Sequence, residues 1–228
     1  MTNIRTSVDG FPDDRVGHEL ISPRHMALYR EAGEALADFK VPVLVHAENA
    51  HEKLYVVAFD GTGNNKFVKP LHATNVAKIS DQIIPDQRGQ VHARYIEGPG
   101  TQAHRIERWG DSLTGHSYES NIEKAYDDLV VKANEWRLKD PAAVVRVHSI
   151  GFSRGASQVP AFARLVHENG IPDLSSRVSA ADGTIGYDRY IAPPGKVVQA
   201  VGLFDPVATG APMHFDRRLP PSLVSGLQ

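Results

Sequence analysis

Gly151-Phe152-Ser153-Arg154-Gly155 is the segment whose residue types and spacing could do covalent chemistry. It has the form G-x-S-x-G. The apolar, β-branched run Ala142–Ile150 precedes it and an amphipathic stretch, Ala156–His167, follows. A serine at such a strand-to-helix turn is held in a strained conformation. Small residues two before and two after it let strand and helix cross closely. Ser153 Oγ then projects above the sheet, at the positive end of the following helix. The Arg154 N–H points the same way and could supply half of an oxyanion hole. The same five letters also arise by chance in Gly-rich loops, so the flanking strand and helix carry the reading.

A second segment, Phe59-Asp60-Gly61-Thr62-Gly63-Asn64-Asn65, closes the apolar run Leu54–Phe59. Several chemistries compete for it. A dinucleotide-binding fingerprint needs a third glycine where Lys66 stands, and a Walker loop needs Gly-Lys-Ser/Thr, which is absent. An aspartyl-phosphate chemistry of the Asp-x-Asp-Gly-Thr type would need its nucleophilic carboxylate at Ala58. The reading that survives is the other half of an oxyanion hole, with small residues such as Gly61 and Thr62 bringing backbone amides to a substrate carbonyl. The plain alternative is a tight turn in which Asp60 and Asn64 bond their own backbone.

A serine nucleophile needs a general base, and the base an orienting carboxylate. Asp205 ends the apolar run Lys196–Phe204 and is the candidate acid, with a turn Asp before Pro206 as the alternative. The base is the weak member. His214 alone among the histidines follows Asp205, in a Pro-rich stretch. His148 and His167 flank the elbow and read as packing or surface residues; His104 and His116 lie in the loop ahead of it.

The elements that must position these groups alternate strand and helix. Strands are expected at Leu54–Phe59, Val91–Ile96, Ala142–Ile150 and Lys196–Phe204. Helices are expected from Ser22-Pro23 to about Phe39, from about His72 to Ile84, from a Ser120/Glu123 capping box to about Leu138, and over Ala156–His167. Residues 170–195 read as loop. This pattern argues for an α/β fold, a mostly parallel sheet flanked by helices, of the α/β-hydrolase type. Residues 1–50 read as an N-terminal arm with one helix, and 51–228 as the catalytic domain. Length and composition suit a globular domain: 228 residues, 41% hydrophobic, 23% charged, net charge −2. No dense basic patch points to nucleic acid. The absence of cysteine excludes disulfides and thiolate metal sites; neither a metal nor an organic cofactor is expected. The first ten residues have no apolar core of a signal peptide, and no apolar run is long enough to span a membrane.

Phe59–Asn65, Thr74-Asn-Val76, Tyr95-Ile-Glu-Gly-Pro-Gly-Thr101, Gly151–Gly155 and Leu203-Phe-Asp-Pro-Val207 together resemble, in order and rough spacing, the type VI lipase effector family 1. These are bacterial phospholipases delivered into rival cells. The resemblance covers about residues 53–228. It implies a phospholipid substrate in a membrane, Ser153 as nucleophile and Asp205 as triad acid. It also implies synthesis in a bacterial cytoplasm without a signal peptide, delivery to a target cell, a secretion-system component as partner, and an immunity protein. The family places its histidine in a Gly-rich segment well downstream of the acid, and this sequence has no such segment. The expectation is therefore a serine phospholipase apparently truncated at its C-terminus, with an unpaired sheet edge after the fourth strand and poor solubility. The alternative is a catalytically incomplete fragment or pseudoenzyme that binds lipid or a partner protein.

Overall fold

The computed structural model describes residues 21–38, 42–68, 73–83, 89–98, 116–179, 182–207 and 218–227, without the side chains of 36, 116, 117 and 225–227. The chain divides into two compact units, Met1–Val41 and Pro42–Gln228. In the first unit the described element is α1 (Pro23–Ala37). The proline sits at its first helical position, where the missing N–H costs nothing, and Ser22 Oγ accepts the His25 N–H.

The second unit is built on a five-stranded sheet in the order β2-β1-β3-β8-β9 with every pairing parallel. Its strands are β1 (Glu52–Phe59), β2 (Val91–Ile96), β3 (Val144–Phe152), β8 (Gln199–Phe204) and β9 (Leu223–Leu227). Nearly every residue of β1 is buried, which is what a strand covered on both faces requires. Alternate residues feed two cores. Tyr55, Val57 and Phe59 of β1, with Val145 and Val147 of β3, pack under α3 (His116–Lys139) and α4 (Arg154–Asn169). Ala58 and Ile150 pack on the other face against Val76 and Ile79 of α2 (Asn75–Gln82). The result is the expected α/β fold, a parallel sheet flanked by helices.

Three differences from the sequence reading have physical causes. First, α3 begins at His116, ahead of the Ser120/Glu123 capping box. Tyr118 is buried and donates its hydroxyl to Ser157 O, so packing on α4 extends the helix past the local signal. Second, residues 170–195 are not all loop. They carry β4 (Ile171–Pro172), β5 (Arg177–Ser179), β6 (Ile185–Tyr187) and β7 (Tyr190–Ala192) in two antiparallel pairs. Third, the sheet does not stop at the fourth strand: β9 pairs in parallel with β8, so the expected bare edge of β8 is covered.

Candidate active site

The turn from β3 into α4 carries Ser153 at φ 54° and ψ −123°. A residue with a Cβ is strained there, since that region belongs essentially to glycine. The two flanking glycines explain why the turn can exist. A Cβ on Gly151 would lie 2.6 Å from Gly155 O and 2.7 Å from Ala156 N, and one on Gly155 would lie 2.3 Å from Phe59 O. Strand, helix and the end of β1 therefore meet backbone to backbone. Ser153 makes no side-chain cap on α4. The first amides of the helix, Arg154 among them, have no intrahelical acceptor and concentrate positive potential at the serine.

The loop after β1 is held against this turn. A Cβ on Gly61 would lie 2.8 Å from Phe152 Cδ1, so the loop touches the residue before Ser153. Asp60 is the post that shapes it. Its side chain is buried and accepts three hydrogen bonds: from Gly61 N (2.7 Å), Thr74 Oγ1 (2.9 Å) and Tyr95 OH (2.6 Å). Thr74 Oγ1 in turn caps α2 through Ala77 N. Burial and the Asp60 hydrogen bond hold the Tyr95 hydroxyl protonated far above neutral pH, so it remains a donor. Behind the loop, a Cβ on Gly98 would lie 1.7 Å from Gly61 O, and Gly98 N donates to Asn64 O. Of the loop amides read as oxyanion donors, Gly61 N–H is committed to Asp60. Thr62 N–H has no acceptor among the described residues, and its buried Oγ1 has no partner either.

Asp205 lies beside Ser153. Phe152 pairs with Phe204 in register, Ser153 N donates to Phe204 O (3.0 Å), and Val207 N donates to Ser153 O (3.1 Å). Asp205 also has positive φ, 46°, and is exposed, and no side chain among the described residues bonds its carboxylate. A cleft of about 540 Å³ opens next to it, lined by Val76, Phe152, Leu203 and Phe204, with Thr74 and Asn75 at one wall.

The histidines divide by distance. His148 stands five residues back along β3, roughly 16 Å of extended chain from Ser153. It bonds Ala200 O (3.2 Å), and burial lowers its pKa. His167 is fourteen residues along α4, roughly 21 Å away, and bonds Ser222 Oγ. Neither reaches the serine. His104, His214 and the side chain of His116 lie outside the described residues.

Sequence reasoning singled out Ser153, Asp205, Gly61, Thr62 and Arg154, and the fold brings all five to one edge of the sheet. It missed Asp60 as the organiser of the loop and Tyr95 and Thr74 as its partners; the signal was an Asp followed by glycine at the end of a buried strand.

A parallel sheet flanked by helices, with a strained serine at a strand-to-helix turn, is consistent with the α/β-hydrolase class. Residues 53–191 match the family model of the catalytic domain of Tle1-like phospholipase effectors of the type VI secretion system. That is more than half of the chain, and the chain belongs to this family. A comparison with curated proteins gave no match.

Proposed function

We propose that the chain is a serine esterase acting on phospholipid acyl esters. The observation that carries this reading is the backbone of Ser153, strained at φ 54° between two glycines that abut other backbone. In the proposed reaction the ester carbonyl binds between the Thr62 and Arg154 amides, with its acyl chain in the apolar cleft by Phe152 and Phe204. Ser153 Oγ attacks the carbonyl carbon while a histidine oriented by Asp205 takes its proton. The tetrahedral oxyanion is stabilised by the two amides. Collapse expels the alcohol, protonated by the same histidine, and water then hydrolyses the acyl-enzyme. His214, nine residues past Asp205, is the first base to test. No metal or organic cofactor takes part.

From the family we carry over a wider role: an antibacterial effector delivered into a rival cell, with a secretion-system component and an immunity protein as partners. Among the described residues no helix is long and apolar enough to cross a membrane. Fatty-acid release from phospholipid vesicles, compared between the chain and its Ser153→Ala variant, tests the proposal. Serine-dependent release supports it, and equal release by both proteins sinks it.

A further inference from the structure

A second cleft, about 460 Å³, lies between α3 and the β4–β7 segment, where α4 ends. It is remote from Ser153: α4 runs 16 residues from Arg154 to Asn169, roughly 24 Å, and Asn169 lines the cleft. Three tyrosines, Tyr126, Tyr187 and Tyr190, contribute to its walls alongside the apolar side chains of Val130, Leu174 and Ile185. Those walls are fixed in place. Tyr126 OH donates to Gly170 O (3.0 Å). Asn134 of α3 donates Nδ2 to Pro172 O (2.9 Å) and accepts Leu174 N–H on Oδ1 (2.9 Å), which ties the β4–β7 segment to the helix. Tyr190 pairs with Pro172 in the β4–β7 ladder.

The charge in this cleft has one sign. Asp127 lines it and has no ion-pair partner among the described residues. The Tyr126 hydroxyl is held protonated by burial first and then by the fields of Tyr190, Tyr187 and Asp127, so these groups converge on one place. The negative end of the α4 dipole adds to them. Aromatic faces carry negative potential as well. Among the described residues no Lys or Arg lines the cleft. Arg189 is taken up by Asp173 Oδ2 (3.2 Å) and Ser175 Oγ (3.1 Å), and Lys132 by Glu135 Oε2 (2.8 Å). Arg177 stands opposite Tyr187 in the β5–β6 ladder but is not a lining residue.

We propose that this cleft binds a small organic cation, an alkylated ammonium of about the size of choline. Tyrosine faces attract a cation that has shed its water, and a carboxylate beside them strengthens the attraction. The alkyl shell matters because the rest of the lining is apolar. Methyl groups on nitrogen pack against Val130, Leu174 and Ile185, whereas a bare ammonium gives up strong hydration for which the cleft offers few acceptors. An anion meets Asp127 and the end of α4. A neutral apolar ligand leaves the Asp127 charge unanswered. Such a cation exists both as a free solute and as a lipid headgroup, and the chemistry of recognition is shared.

The test is titration calorimetry of the full chain with choline and with dimethylbutanol, the neutral compound in which carbon replaces the nitrogen. Choline should bind at least about 10-fold more tightly, the scale of a desolvated cation–π contact. The Tyr187→Leu/Tyr190→Leu variant should lose that preference, and Tyr190→Phe, which keeps the ring, should retain most of it. Asp127→Asn should weaken choline and leave dimethylbutanol unchanged. Asp127 is exposed, so this last variant carries the test if the leucine pair does not fold. A second arm measures sedimentation of Ser153→Ala with phosphatidylcholine or phosphatidylglycerol vesicles. Retention on phosphatidylcholine alone, displaced by free choline, assigns a headgroup; choline binding without such retention assigns a free solute. Equal affinity for the two small compounds, no choline binding, or choline binding unchanged in both the leucine pair and Asp127→Asn overturns the proposal. None of these readouts depends on ester hydrolysis, so the proposal stands or falls apart from the esterase reading.

Discussion

Replacing Ser153 by glycine asks directly whether the turn stores strain. At φ 54° and ψ −123° a residue with a Cβ costs on the order of 1–3 kcal/mol. Glycine removes that cost. It also frees the unfolded chain, which gives back about 0.5–1 kcal/mol. Ser153 makes no capping hydrogen bond, so alanine, which keeps the Cβ and the strain, is the proper control. Ser153→Gly should therefore be more stable than Ser153→Ala by about 0.5–2 kcal/mol. At roughly 2–4 °C per kcal/mol for a unit of this size, that is a Tm higher by about 1–8 °C. Both variants should be inactive. Scanning calorimetry on the two proteins side by side makes the measurement. A glycine variant that melts at or below the alanine variant would mean the backbone is not strained, and the structural basis for assigning the nucleophile would go with it.

Other consequences follow from the same contacts. Gly155→Ala forces a Cβ to within 2.3 Å of Phe59 O and 2.4 Å of Asp60 O, backbone atoms that cannot rotate away; we expect a loss of about 1–3 kcal/mol or more in urea unfolding, with esterase activity lost alongside. Asp60→Asn keeps the shape but exchanges an acceptor for a donor among three donors; under the proposed mechanism kcat should drop about 10-fold or more with KM little moved, because the loop amide assigned to the oxyanion is misaimed while the apolar cleft is untouched. The Glu52 carboxyl is held down at about 2 by hydrogen bonds from the His46 backbone and side chain, with Arg146 adding to them. A depressed acid contributes its stability above its ordinary value of 4.5 and loses it as pH falls toward 2. Urea midpoints of the parent should decline through that window, and Glu52→Gln should flatten the decline.

Much of the frame was readable in the chain because parallel strands buried on both faces are continuous apolar runs. Leu54–Phe59, Val91–Ile96 and the run into Gly151 stood out for that reason. Other elements had no such signal. β9 is five residues long and contains Gly226, and its stability comes from pairing with β8. The strands between 171 and 192 have two or three residues each, too few for any period to show. The start of α3 was misplaced because burial of Tyr118 outweighs a capping box worth about a kilocalorie. Among the candidate site residues, the turn positions of Ser153 and Asp205 were legible from local context, each directly after a strand. Asp60 was seen only as part of a turn. Its three donors include Thr74 and Tyr95, which only folding brings to it. The same holds for Gly61, whose N–H looked available in the sequence and is bonded to Asp60 in the fold.

The most direct test of the central claim is to trap the proposed nucleophile covalently. The full chain is incubated with an alkyl fluorophosphonate, and the modified peptide is identified by mass spectrometry. The account predicts one adduct, on the peptide bearing Gly151–Gly155 and at Ser153, absent from Ser153→Ala and slowed in Asp60→Asn. An adduct on another residue, or phospholipid hydrolysis that survives Ser153→Ala, would contradict it.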